Sequence, residues 1–327
     1  MSSSRLPTEA VVAAEALHSG SRRRRRSRWS RAAAGSTPYL LVLPVVVVIG
    51  AVLGYPLYSL VVLSLQRYGL FELIRHEGTW TGFANYSSVL HDPVFWHTLL
   101  RTAVFTVANV GLTIGIGTLL ALLCLRVSSW VRVLLTSGLV LVWAMPVVVA
   151  VQVWYWMTNF ENGVLNYVLT ELRVGDYFHH DWYATPFSQL GIVTAMIVWG
   201  ALPFVVVTVY AGLAQVPDDL VEAAEIDGAS PARVFRDVTF PVLKPIFLIL
   251  TSLSIIWDFG VFTQPFLLIG QSKISPSNEL MGVYLFEEGY LKSDFGRGAA
   301  ISLLMLLMVA AMSVVYVRKM VRIGEVR

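Results

Sequence analysis

The sequence predicts an all-α, polytopic membrane protein with six transmembrane helices. Hydrophobic residue types make up 56% of the 327 residues and charged types only 14%, against about 25% charged residues in a typical soluble domain. The mean hydropathy is +0.67. A chain with so little polar surface cannot cover a water-soluble globule of this size. The composition therefore excludes an ordinary cytosolic enzyme and a nucleic-acid-binding module.

The distribution of charge gives the positions of the spans. Five long windows contain no Asp, Glu, Lys or Arg, and a sixth, between Lys244 and Lys273, contains only Asp258. Each window can supply the roughly 20 apolar residues that a helix needs to cross the hydrocarbon core. The first is too long for the apolar region of a signal peptide, about 7–15 residues, so we expect it to be retained. The predicted spans cover residues 39–65, 99–125, 133–158, 189–214, 245–270 and 298–317.

Basic residues predict the orientation, because cytoplasmic loops carry an excess of Lys and Arg. With both termini on one side, that side collects seventeen basic residues and the other side seven. We therefore expect both termini in the cytoplasm. The tail over residues 1–37 holds eight Arg and is expected to be disordered or to lie against anionic lipid, with no nucleic acid bound. Residues 38–320 form the permease domain, and residues 321–327 form a second cytoplasmic tail.

The sequence carries no recognisable catalytic motif. It lacks the G-x-x-x-x-G-K-[ST] phosphate loop, so this chain cannot hydrolyse ATP by that mechanism. The motifs H-E-x-x-H and G-x-S-x-G are also absent. Only one carboxylate, Asp258, lies within a predicted span. We therefore expect no enzyme activity and neither a cofactor nor a metal site in this chain.

The segment 215–241, between the fourth and fifth predicted spans, has the pattern of two short helices joined by a tight turn. Pro217 suits the first turn of a helix, and the acidic residues after it complement the positive end of the helix dipole. Gly228 suits a left-handed stop. Ser230 followed by Pro231 begins a second short helix, which Pro241 ends. Spacing alone leaves two alternatives, a docking element for a partner and a hairpin packed on its own bundle.

The same segment resembles the coupling loop of ATP-binding-cassette importer permeases, whose consensus is E-A-A, three residues, G, nine residues, I, one residue, L-P. Val238 and Phe240 replace the Ile and Leu of that consensus. Further stretches resemble the carbohydrate branch of the family, of the maltose and glycerol-phosphate permease type, among them Gly82-Phe83-Ala84-Asn85-Tyr86 and Trp257-Asp258-Phe259-Gly260. Others, such as Gln152-Val153-Trp154, resemble actinobacterial disaccharide permeases. The matching coupling-loop residues are Glu222, Ala223, Ala224, Asp227, Gly228, Ala229 and Pro241.

This resemblance implies a type I importer permease fold in a bacterial inner membrane. It also implies four partners: a second homologous permease subunit, a dimer of ATP-binding-cassette ATPases, an extracellular sugar-binding protein or lipoprotein, and a di- or oligosaccharide substrate. ATP and magnesium would bind to the ATPase partner and not to this chain. The coupling loop would lodge in a cleft of one ATPase subunit.

A sugar pathway needs polar groups and aromatic faces that point away from lipid. Asp258 is the strongest candidate, and the alternative is a structural role as a partner of the second permease subunit or of a backbone group. For Trp154 and Trp199 the alternative is helix packing or a place in an interfacial aromatic belt. The external segment 161–188 is too long for a simple turn, so it could dock the binding protein or cap the pathway. The candidates are Gln152, Trp154, Asn159, Trp199, Trp257, Asp258, Thr263 and Gln264.

Two other classes of function compete with an importer permease. A self-sufficient secondary transporter or channel predicts inverted repeats and several charges within the spans, and neither is evident. A membrane scaffold would not need the segment from Glu222 to Gly228.

Overall fold

The computed structural model describes residues 29–270 and 274–325, with side chains over 41–270 and 274–319. The chain divides into two units, Met1–Ser59 and Leu60–Arg327. The described part of the first unit is helical throughout. Almost all of the second unit's regular structure is helical as well, apart from one two-stranded sheet near its beginning.

The helices and strands follow one another in this order. The first part contains α1 (Trp29–Ser64), β1 (Gln66–Arg67), α2 (Leu70–Arg75), β2 (Thr79–Trp80), α3 (Ala84–Leu90), α4 (Pro93–Arg126), α5 (Ser129–Ala144) and α6 (Val147–Met157). The second part contains α7 (Val164–Glu171), α8 (Pro186–Leu213), α9 (Asp218–Ile226), α10 (Pro231–Phe259, including a π-helical turn over Phe235–Thr239), α11 (Thr263–Ile269), α12 (Met281–Phe286), a π-helical turn (Glu287–Leu291) and α13 (Phe295–Glu325). The strands β1 and β2 are antiparallel, with Gln66 opposite Trp80.

Among the described residues, five helices are long and apolar enough to cross a membrane, and α5 with α6 adds a sixth crossing if this bent pair counts as one span. The six predicted spans are thus found, but their ends differ. Helix α1 begins at Trp29, inside the tail predicted over residues 1–37, and α13 continues to Glu325. Alanines 32–34 favour the helix at the first of these ends. The rest of the N-terminal tail, residues 1–28, lies outside the described residues.

The third predicted span, 133–158, is not one continuous helix. Helix α5 ends at Ala144 and α6 begins at Val147, with an angle of 107° between them. Pro146 explains the break, because a proline lacks the N–H that a helix needs and excludes the helical conformation from the residue before it. Met145 accordingly has φ −75° and ψ 127°, in the extended region.

The fifth predicted span, 245–270, is also interrupted. Helix α10 ends at Phe259, and the separate helix α11 follows at Thr263. Gly260 lies at the break, where glycine's low helix propensity favours an end. Phe262 has φ −129° and ψ −54°, which is not helical. Helix α11 then packs against α6 and α8.

Pro241 does not end the second helix of the segment 215–241, so this prediction was wrong. Helix α10 continues from Pro231 to Phe259 through the π-helical turn at Phe235–Thr239. The Phe240 N–H donates to the Phe235 carbonyl, five residues back. This wider turn lies directly before Pro241, where an ordinary α-helical turn would set the proline ring against the carbonyl four residues back.

Among the described helices, α4 and α8 make the most extensive contact with each other. Gly117 of α4 faces Val205 of α8, and a Cβ added at Gly117 would lie 2.5 Å from Val205 Cγ1. Only the missing side chain lets the two helices approach this closely. The buried cluster around this contact comprises Ala121, Cys124, Val205, Val206, Val209, Leu213, Leu243, Phe247 and Leu250.

We expect Gly117→Ala to destabilise the protein by about 1–3 kcal/mol, the usual cost of overpacking a tight core. The added methyl group must displace the β-branched Val205, which has little rotamer freedom in a helix. Gly111→Ala is the matched control. Gly111 lies on the same helix, but a Cβ added there meets nothing within 4 Å. Thermal unfolding in detergent should lower the Tm of the first variant only; equal Tm values would contradict this packing.

A loop before α12 is bound to the N-terminal part of α4. The Arg101 guanidinium donates to the carbonyl of Glu279 (2.7 Å) and to that of Pro276 (2.8 Å). The Thr98 hydroxyl donates to Glu279 Oε1 at 3.3 Å. The Glu279 side chain is buried. Burial, together with the neighbouring Glu287 carboxylate, raises the pKa of Glu279 from 4.5 to about 7.

A raised pKa means that the folded protein holds the Glu279 proton more tightly than the unfolded chain does. The stability contributed by this group is therefore complete below pH 4.5 and is lost as the pH rises through about 7. We expect the Tm of the unmodified protein to fall over this range relative to that of Glu279→Gln, whose amide does not titrate. A Tm difference that stays constant with pH would contradict the expectation.

Candidate functional site

The segment 214–230 folds as a short helix closed by a rigid turn. Helix α9 has Asp218 and Asp219 in its first turn, and Pro217 stands just before it, one position earlier than predicted. The Gly228 N–H donates to the Glu225 carbonyl, and the Ala229 N–H donates to the Ala224 carbonyl, both at 3.0 Å. These two bonds form a Schellman motif. Gly228 has φ +77°, as predicted for a left-handed stop.

Helix α9 stands away from the bundle. None of its residues is buried, and Leu220 and Ile226 are exposed by 50% and 86%. Glu222, Ala223 and Gly228 are exposed as well. Helix α9 itself is therefore not packed on the bundle, and it presents an apolar and acidic surface next to the turn, whereas the start of α10 is packed, with Val234 buried. Six of the seven predicted coupling residues lie together here, whereas Pro241 lies further along the chain in α10.

A second feature is a cavity of about 330 Å³ at the two helix breaks. Met145 and Val147 line it from the α5–α6 break, and Val261 and Gln264 line it from the α10–α11 break. Non-helical backbone at membrane depth is tolerated only where it is buried in protein or lines a water-filled cavity. Both helix breaks therefore lie at the wall of the same cavity.

The cavity brings together four of the eight predicted pathway residues, namely Trp199, Trp257, Asp258 and Gln264. Two lining aromatic residues were missed by the sequence reasoning, Trp143 and Phe204. The Phe204 ring lies 5.9 Å from that of Trp143 and 5.7 Å from that of Trp257. Aromatic residues are common in membrane helices, so only the helix breaks could have pointed to these two.

Asp258 is the charged side chain of this cavity. It lies one residue before the end of α10 and is 7% exposed. Within the described residues, its carboxylate has no hydrogen bond and no ion pair. A carboxylate at this depth is costly unless it is paired or faces a water-filled cavity. Asp258 lies on the wall of the cavity, which gives its carboxylate room for water or a polar ligand.

The other four predicted residues lie outside the cavity lining. Gln152 is exposed on α6, and Thr263 begins α11. Trp154 packs edge-on against Trp199, with 6.0 Å between the ring centroids. Asn159 Oδ1 accepts the N–H groups of Glu161 and Asn162, so Asn159 stabilises a turn after α6.

Membrane-crossing helices, a cavity at two helix breaks with one carboxylate and one amide in a largely apolar wall, and an exposed acidic helix are the features expected of a membrane permease. The family model of the binding-protein-dependent transport system inner membrane component matches residues 113–323. The chain belongs to this family: it is a permease subunit of an ATP-binding-cassette importer, embedded in the membrane, and the ATPase is a separate chain.

Relatives of known function are similar over nearly the whole chain. A diacetylchitobiose uptake system permease protein of Streptomyces coelicolor is 39% identical over 293 residues, covering 90% of this chain and 89% of the relative. A trehalose/maltose transport system permease protein of Thermococcus litoralis is 31% identical, covering 86% of this chain and 92% of the relative. Both names denote permeases of sugar uptake systems.

The fold is that of a solved importer. A chain of a bacterial ABC transporter involved in the import of the acidic polysaccharide alginate superposes with a TM-score of 0.73 at 16% identity. The match covers 90% of this chain and 98% of the other. The type I importer permease fold expected from the resemblance is thereby confirmed.

Proposed function

We propose that this chain forms half of the pathway of a bacterial disaccharide importer, with diacetylchitobiose or a close analogue as its substrate. The observation that carries the proposal is the cavity at the two helix breaks, where indole faces meet one carboxylate and one amide. Aromatic faces suit the C–H surfaces of pyranose rings, and the polar groups suit their hydroxyls. The similarity to the Streptomyces coelicolor permease, whose name specifies diacetylchitobiose, supports the choice of sugar.

In this proposal both termini and the segment 214–230 lie in the cytoplasm. The excess of basic residues on that side, seventeen against seven, supports the orientation. The chain crosses once in α8 between the segment 158–185 and the segment 214–230, so these two segments lie on opposite sides of the membrane. The segment 158–185 is then extracellular.

We further propose that α9 and its turn dock into a cleft of one ATPase subunit. Glu222, Ala223, Ala224, Asp227, Gly228 and Ala229 form the contact, and Pro241 acts from within α10. The Schellman turn joins α9 to α10, whose last turn carries Asp258 at the cavity. Movement of the ATPase dimer during its ATP cycle would therefore be transmitted to the pathway through one continuous helix. Such transmission would drive alternating access, in which the pathway opens to one side of the membrane at a time.

The importer also requires partners. A second homologous permease completes the pathway, and an extracellular binding protein delivers the sugar. ATP and magnesium bind to the ATPase dimer, and this chain itself binds no cofactor.

Uptake of radiolabelled diacetylchitobiose tests the proposal, in cells that lack this chain and in cells that carry it again. We expect uptake to require this chain and the ATPase gene, and excess unlabelled trehalose to compete weakly. Uptake that needs the chain but survives deletion of the ATPase would favour a secondary transporter. Uptake that is unaffected by loss of the chain would overturn the choice of sugar.

A further inference from the structure

The segment between α6 and α8 contains a concave site that the cavity at the helix breaks does not include. It encloses about 310 Å³. Four aromatic rings line it, those of Phe160, Tyr167, Phe178 and His179, and all four side chains are exposed. The exposed side chains of Glu161 and Asn162 add a carboxylate and an amide.

The site rests on a rigid turn. Asn159 Oδ1 accepts the N–H groups of Glu161 (2.9 Å) and Asn162 (3.1 Å). A Cβ on Gly163 would lie 2.3 Å from the Asn159 carbonyl oxygen, so only glycine fits at this point. The turn thus fixes the backbone of Glu161 and Asn162, the two exposed polar residues of the site.

Hydrogen bonds of the lining residue Asn166 connect α7 to the chain before α8. The Asn166 side chain is buried and donates to the His180 carbonyl at 3.0 Å, while its oxygen accepts the Trp182 indole N–H. The Tyr177 and Trp182 rings stack with an angle of 6° between their planes. These contacts join helix α7 to the chain segment 177–182.

His179 has strained backbone geometry. Its φ is 57°, in the left-handed region that residues other than glycine seldom adopt. Its ring lies 5.3 Å from the Phe160 ring and 4.1 Å from the Phe178 ring, measured between centroids. Strain of this kind persists where the surrounding structure enforces it, and it concentrates at functional sites. Three exposed rings, those of Phe160, Phe178 and His179, lie side by side at the concavity.

We propose that this concavity is a pyranose-binding subsite, which holds one ring of the disaccharide outside the membrane before the sugar reaches the cavity at Asp258. This inference rests on the proposed function, since that function makes the segment extracellular and the substrate a sugar. Aromatic faces cover the C–H face of the pyranose ring, and the Glu161 carboxylate and Asn162 amide bind its hydroxyls. An exposed apolar patch with polar groups at its rim is a typical binding surface.

A site-local probe tests the subsite without interference from the central cavity. 4-Fluorophenylalanine replaces Phe178 in the assembled transporter in lipid nanodiscs, without binding protein, and diacetylchitobiose is titrated against the ¹⁹F signal. We expect a saturable change in chemical shift. The matched control carries the label at Phe187, which is 90% exposed and does not line the site, and its signal should not change.

A second variant tests whether the change in ¹⁹F chemical shift comes from sugar bound at this site. Tyr167→Ala should raise the midpoint of the titration about five-fold, the size expected for loss of one aromatic contact. A ¹⁹F chemical shift at position 178 that does not change with sugar would overturn the inference. A shift that changes only on addition of sugar-free binding protein would also overturn it, because the site would then be a docking surface for that protein. Uptake of diacetylchitobiose by the same transporter reports separately on the proposed function.

Discussion

Gly228→Asp is expected to abolish sugar uptake and to release the ATPase, while the permease still reaches the membrane in normal amounts. Gly228 is exposed with φ +77°, and a Cβ added there meets nothing within 4 Å in this chain. The permease itself therefore bears only the left-handed strain, about 1–2 kcal/mol. The new carboxylate lies beside Asp227 on the surface that we propose to contact the ATPase, where it adds like charge and bulk. Uptake and the amount of co-purified ATPase are the measurements.

Gly228→Asn is the matched control for this prediction. Asparagine has nearly the same size as aspartate and tolerates the left-handed conformation, but it carries no charge. We expect it to retain part of the uptake and of the ATPase. Normal uptake by Gly228→Asp would contradict the docking role of this turn, and loss of the permease from the membrane would assign Gly228 to folding instead.

Asp258→Asn is expected to reduce uptake strongly while the complex of permease and ATPase stays intact. The carboxylate lies on the cavity wall without a partner among the described residues, so the fold of this chain does not depend on an ion pair there. The amide keeps the size of the side chain but accepts hydrogen bonds less strongly than a carboxylate. Uptake kinetics and size-exclusion chromatography of the complex measure the two properties.

Ser254→Ala is the control for Asp258→Asn. Ser254 lies one turn earlier on α10 and is equally buried, at 7% exposure, but it does not line the cavity. Its replacement should leave uptake close to normal. If Asp258→Asn instead dissociates the complex, Asp258 pairs with a group of the partner permease and has a structural role.

Charge patterning predicted the spans because a charged side chain in hydrocarbon is costly whatever the fold around it. The stop at Gly228 was predictable for a similar reason, since a left-handed helix end strongly favours glycine. Both inferences depend on local energies. They needed no knowledge of which helix lies beside which.

The helix breaks were harder to predict, although Pro146 and Gly260 were visible in the sequence. Prolines also occur within intact helices, as Pro203 does in α8 and Pro245 in α10. Which proline ends a helix depends on tertiary contacts that restore the lost hydrogen bonds. The same holds for the cavity, since Phe204 joins it only because α8 lies across the end of α10.

Sequence reasoning also grouped Gln152 and Asn159 with the pathway on residue type alone. Asn159 instead uses its side-chain oxygen within a turn. A polar side chain near a span end can satisfy the local backbone as readily as a ligand.

We propose that the surface of α9 contacts the ATPase, and a crosslink from that surface would show the contact directly. A photo-crosslinking amino acid in place of Leu220, half exposed on that surface, tests it in native membranes, with mass spectrometry of the adduct. We expect an adduct with a chain that carries a phosphate-binding loop, and we expect this adduct to disappear when Gly228→Asp is added. An adduct only with lipid or with this chain itself would show that α9 does not contact the ATPase.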